Sequence, residues 1–184
     1  MKPTEQLKAE HKGIKVMLKI MDKVCDKLKP TQELNQGHFT KMLEFLKVFV
    51  DKCHHGKEED LLMPAMVEAG VPKDKGAIKF TLLEHVEGRG YIKGMSEAFD
   101  RLKNDDRQAS IEIMYNAKKY IALLIKHIDK EESVLFTMAD KILSQKRQNE
   151  LEEGFEKLEV ERIGIGKHEE FHKLLEQLKE IYLV

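Results

Sequence analysis

The sequence predicts an all-α protein, an up-down-up-down four-helix bundle with an additional C-terminal helix. Three observations carry this. Apolar residues recur at helical spacing over long stretches, and no convincing alternating segment points to a sheet. Breaker-rich stretches such as "EAGVPKD" and "NDDRQ" separate them. The composition, 41% hydrophobic and 35% charged with no Trp and four Pro, suits amphipathic helices with charged outer faces.

The first helix runs from about Thr4 to Lys29, with Leu7, Ile14, Leu18, Met21 and Val24 near helical spacing. Pro30 is expected to end it, since proline restricts the preceding residue and donates no amide. The second begins near Thr31 and carries Met42, Leu46, Phe49, Val50 and Cys53 on one face; Pro64 should kink or weaken it. The third starts after Asp74, read as its N-cap, and continues to about Lys103. The fourth carries Ile113, Tyr120, Leu124, Ile128 and Leu135 and reaches about Leu143. A fifth, "FHKLLEQLKEIYLV", follows the Gly-containing "ERIGIGKH". The 184 residues suffice for one domain: a bundle over residues 1–145, with residues 146–184 as a helical extension packed on it.

The totals exclude several function classes. A formal net charge of −1 draws the chain neither to nucleic acid nor to an anionic membrane. No apolar run approaches the roughly 18–20 residues that span a bilayer. "MKPTEQLKAEH" lacks the apolar segment of a signal peptide, and two cysteines, Cys25 and Cys53, make no disulfide framework. The expectation is a cytoplasmic protein with both thiols reduced.

The two halves repeat. "KAEHKG" holds Glu10-His11, and "LLEHVEG" holds Glu84-His85. His54 follows His11 by 43 residues, and His127 follows His85 by 42. "HHGKEEDLL" and "HIDKEESVL" align without a gap, matching His54, Lys57, Glu58, Glu59 and Leu62 with His127, Lys130, Glu131, Glu132 and Leu135. One helix hairpin is used twice, offset by 73 residues. Residues four apart share a helix face, so His54 points with Glu58, and His127 with Glu131. Counting turns brings His11, His54, His85 and His127 to similar heights on four helices. Burying such groups without a counter-charge is costly, whereas a pair of cations supplies charge and ligand bonds together. Imidazole with carboxylate suits iron, manganese or zinc.

These residues resemble the hemerythrin family, the HHE cation-binding domains. Over about residues 7–143, the family's early His, HxxxE, His and HxxxE look like His11, His54 with Glu58, His85, and His127 with Glu131. The resemblance implies a four-helix bundle around two iron ions, carboxylate-bridged through Glu58 and Glu131 and oxo- or hydroxo-bridged. It implies a small diatomic or peroxide ligand (dioxygen, peroxide or nitric oxide), or iron itself, handled in sensing, redox or stress response. Oxygen-carrying members have a fifth histidine, in an HxxxH pair on the third helix; here Arg89 takes that place. A guanidinium cannot ligate iron, so one metal has an open position, a water or a ligand from elsewhere.

Several assignments stay open at this level. His55 with Glu59 has the same spacing as His54 with Glu58. His54 is preferred because Val50 and Leu61 continue its face, while His55 sits with Asp51 and Lys52 and matches Ile128 in the repeat. His55 and Glu59 are then outer or surface residues in the favoured reading and direct ligands in the other, and Glu132 is an alternative ligand at five-residue spacing. Glu84 and Glu87 are possible ligands or solvent-exposed. His38 lies about 24 Å along the helix from His54, too far to replace a ligand.

"HEEFH" also matches the zinc metalloprotease helix, with His168 and His172 on the metal and Glu169 as general base. That is the alternative function. Against it, only 12 residues follow, none of them His, and no strand is evident to align a peptide. A further possibility is that this segment folds over the bundle and offers His168 to the open metal position. Cys53 and the methionines read as core residues.

Overall fold

A computed structural model describes residues 1–31 and 33–184. It is helical, with no strand among the described residues. The first rod is α1, Pro3–Thr31. The second has mixed winding: α2, Gln36–Glu44, π-helix over Phe45–His55 and Glu58–Leu62, then α3, Met63–Glu68. The third is α4, Gly76–Lys103. The fourth is α5, Ala109–Lys130, π-helix over Glu131–Leu135, then α6, Phe136–Ile142. Two more helices follow, α7, Gln145–Ile163, and α8, Lys167–Tyr182.

Three expectations about element ends are corrected. Helix α1 passes Pro30, because a helix interrupted only near its last residues loses little hydrogen bonding. The second rod starts at Gln36 rather than near Thr31, where the Asn35 side chain accepts the His38 amide and caps it. Asp74 caps nothing; the residue ahead of α4 is Lys75, which offers no side-chain oxygen. Pro64 stands where the winding changes from π-helix to α3, and the rod continues beyond it.

The C-terminal extension holds two helices where the sequence predicts one. Helix α7 is mostly charged, and only Gln148, Leu151, Phe155 and Leu158 are buried along it. That stripe is too thin to read as an amphipathic pattern, but Ser144 caps its start by accepting the Arg147 amide. Gly164 and Gly166, with φ of 89° and 81°, make the left-handed turn into α8.

Helices α4 and α5 run antiparallel, since pairing steps from His85–His127 to Arg101–Glu112. Helix α1 lies along α5, and α7 and α8 cover α1 and the second rod. The apolar interior forms two clusters. One gathers Ile14, Met17, Leu46, Val50, Met95, Tyr120 and Leu124, joined by Phe171, Leu175 and Leu178 of α8. The other gathers Leu7, Leu62, Ile78, Leu135 and Phe136, joined by Leu151 and Phe155 of α7. On every rod the repeated His and Glu residues fall between the two clusters. Each fully buried Leu, Ile or Phe contributes roughly 1.5–3 kcal/mol, so apolar packing on both sides fixes the height of the polar layer.

Candidate metal centre

The polar layer is buried. His11, His54, His55, His85, His127, Glu58 and Glu131 are each at most 3% exposed. Their ligand atoms fall into two overlapping groups. His55, Glu58, His85 and His127 form one, and His11, His54, Glu58 and Glu131 form the other. Within each group the atoms lie within 4.8 Å of one another.

Glu58 and Glu131 stand at the middle. Glu58 lies 3.6 Å from His54 Nε2 and 3.4 Å from His85 Nε2. Glu131 lies 3.2 Å from His11 Nε2, 3.6 Å from His85 Nε2 and 3.1 Å from His127 Nε2. None of the four carboxylate oxygens makes a well-formed hydrogen bond, and neither do His11 Nε2 or the two ring nitrogens of His55. Buried polar atoms without partners are costly and uncommon. Here His11, one His55 nitrogen, Glu58 and Glu131 fall within the two ligand groups, which fits cations there, while His55 Nδ1 lies 3.5 Å from Asp51.

Four imidazoles are held from behind. His54 Nδ1 donates to Glu10 at 2.8 Å, His127 Nδ1 to Glu84 at 3.0 Å, His85 Nδ1 to Glu59 at 2.6 Å and His11 Nδ1 to Glu132 at 2.9 Å. A carboxylate on Nδ1 fixes the tautomer and turns Nε2 inward. The arrangement follows the sequence repeat: Lys57 backs Glu10 at 2.6 Å, and its counterpart Lys130 backs Glu84. Glu59 and Glu132, candidates for direct ligation in the sequence, are thus one layer outside the centre. Glu84 also sits there, and Glu87 only accepts from Tyr91 at the surface.

Electrostatics keeps this layer charged. Burial works against ionisation of Glu10, but His54 and Lys57 outweigh it and bring its pKa down to about 2. Burial likewise opposes ionised Glu131, yet His127, His11 and His85 hold its pKa well below the usual range. Burial opposes protonation of His54, His85 and His127, and the neighbouring carboxylates reverse that and raise all three. His55 differs: burial, then the charges of His85, His54 and His127, push it well below its ordinary value. It is a neutral imidazole, with Asp51 3.5 Å from Nδ1.

His55 departs most from the sequence reading, which set it on an outer face. Its ring stacks on His85 with centroids 3.8 Å apart. The cause is the winding. A π-helix has more residues per turn, so consecutive side chains diverge by a smaller angle. Phe45–His55 is wound this way, and His54 and His55 both turn inward. The other two π segments begin at Glu58 and Glu131, so the repeat extends to the backbone.

Arg89 lies outside the layer, donating to Asp51 and Glu59 at 2.7 Å each. His38 is at the far end, bonded to Tyr182. His168 is not brought to the centre: it gathers with Glu10 and Glu159, and Glu10 is the residue behind His54. Glu169 of the protease-like segment is exposed, with Lys173 as its ion-pair partner. Cys53 is fully buried, and burial lifts its thiol to about 12.

The family model for the hemerythrin HHE cation-binding domain matches residues 2–139. The chain belongs to this family. The matched span contains every residue of the two ligand groups and stops before α7. No curated protein and no solved structure matches the chain. The hemerythrin domain is therefore a cation-binding module whose buried His and Glu residues suit metal. No helix among the described residues is long and apolar enough to cross a membrane.

Proposed function

We propose that this is a di-iron hemerythrin-like protein that handles dioxygen, peroxide or nitric oxide, in sensing, redox or stress response in the cytoplasm. The observation that carries the reading is the set of unpartnered Glu58 and Glu131 oxygens inside a ring of five imidazoles. Two buried carboxylates that face only imidazoles are expensive, and a pair of metal ions would supply charge and ligand bonds together. His11 and His54 would hold one ion, and His55, His85 and His127 the other, with Glu58 and Glu131 shared. The fold reading that goes with it is an up-down-up-down bundle over residues 1–145, with residues 146–184 packed on it.

Bound iron supplies coordination positions and one-electron exchange with the small ligand. The chain supplies the rest. Glu10, Glu84, Glu59 and Glu132 orient four imidazoles and make them better donors. The two apolar clusters exclude bulk water from both sides of the layer. His55 fills the count left short by Arg89, on a neighbouring rod instead of one turn along α4. His55 would then be the ligand from elsewhere that the sequence left open.

Iron-loaded, anaerobically reduced protein exposed to nitric oxide or dioxygen tests this. New near-ultraviolet and visible absorption is expected with both, attenuated in His85→Ala. Full iron loading with no spectral response to either would overturn the small-ligand reading.

A further inference from the structure

The "HEEFH" motif takes no part in the central layer, yet its two histidines do share a place. Helix α8 faces α1 and α7 across a solvent-open cavity of about 520 Å³. His168 and His172, one turn apart, both line it, with ring centroids 4.7 Å apart. Glu159 of α7 and Glu10 of α1 form its inner wall. One ligand atom each from Glu10, Glu159 and His168 lie within 4.8 Å of one another, on three different helices. We propose a second, peripheral site for a divalent transition-metal ion, held by His168 and Glu159 above Glu10, with His172 supplying a further donor from one turn along α8.

The ligand chemistry is specific. Two imidazoles at i, i+4 with a carboxylate from a facing helix suit zinc, iron(II) or cobalt(II). The helix that presents them is fixed, because Phe171, Leu175 and Leu178 are buried. Phe49 contacts the His168 ring, with centroids 5.2 Å apart. The lining leaves room for a cation. Lys57 lies 2.6 Å from Glu10 and 2.8 Å from Glu159, and His54 also bonds Glu10, so the uncompensated charge is that of the outer carboxylates. Glu152 and Glu156 add negative charge to the same lining, and the Met1 ammonium answers one of these.

The site binds and does not hydrolyse. A metalloprotease helix needs its glutamate at the metal-bound water. Glu169 is absent from the cavity lining and pairs with Lys173 instead. What the cavity offers is proximity to the centre: the carboxylate at its base, Glu10, also accepts from His54 Nδ1. A peripheral ion would stand one carboxylate away from the central layer.

Cobalt(II) titration of the full chain, with the central site already iron-loaded, tests this. The expected result is about one additional cobalt per chain with visible ligand-field absorption, weakened about tenfold or more in His172→Gln and in His168→Gln. His172 is exposed, so its variant keeps the fold. Glu131→Gln, which disables the centre, should leave the peripheral cobalt bound, separating this site from the di-iron reading. Equal cobalt affinity in the unaltered chain and both histidine variants would overturn the proposal.

Discussion

Glu10 Oε2 accepts from His54 Nδ1 at 2.8 Å inside the protein, while its other oxygen takes the Lys57 ammonium. The same relation recurs between Glu84 and His127, with Lys130 behind. A metal-ligating imidazole backed in this way is a fixed donor. Glu10→Gln should therefore lower metal affinity by roughly 10–100-fold while leaving helicity unchanged. Competition with a chelator of known affinity, alongside circular dichroism, measures both.

Lys57 is fully buried between Glu10 and Glu159, and its partners raise its pKa to about 12 against the pull of burial. Lys130, its counterpart in the repeat, is half exposed. Removing a buried partner strands the opposite charge. Lys57→Met should destabilise the metal-free protein by about 3 kcal/mol and Lys130→Met by under about 1 kcal/mol. Urea unfolding of the two variants compares them directly.

His55 should behave as a ligand of one ion only. In His55→Ala the group of His55, Glu58, His85 and His127 loses a donor, and the group of His11, His54, Glu58 and Glu131 keeps all of its own. Metal content should fall toward about half of the unaltered value, with one affinity class lost. His38→Ala, at the far end of the second rod, should change neither quantity.

Burial lifts the Cys25 thiol from its ordinary value of 9.0 to about 11. Below pH 9 the thiol is protonated in both states and stability is unaffected. Between about pH 9 and 11 the unfolded chain releases the proton and the folded chain retains it. Stability therefore falls as pH rises through that window, by about 2 kcal/mol at its upper end. Unfolding free energies across this range should show a shallower fall in Cys25→Ala than in the unaltered chain.

The helices and most of the polar layer were legible because the pattern is written twice. His11 and His85, His54 and His127, Glu58 and Glu131 occupy matching places, and geometry needed only the rise of a helix to bring them level. The backing residues were visible as letters without roles. Lys57 and Lys130 align in the repeat, but only side-chain positions reveal that each neutralises the glutamate behind a histidine. His55 was misread because an α-helical face was assumed where the backbone is π-helical, and winding is set by tertiary packing. Helix α7 was missed because four buried side chains in nineteen residues leave little periodic signal. The HEEFH segment was readable as a metal motif, but not the direction in which Glu169 points.

The central claim is that Glu58 and Glu131 are shared by two metal ions within one buried layer. Elemental analysis of tag-free protein loaded with iron under anaerobic conditions tests it most directly, set beside Glu58→Gln and Glu131→Gln. The account predicts about two irons per chain in the unaltered protein and a loss of both ions in either variant, since Glu58 belongs to both ligand groups and the two oxygens of Glu131 reach His11 on one side and His85 and His127 on the other. One iron or none in the unaltered protein, or two retained in both variants, would contradict it.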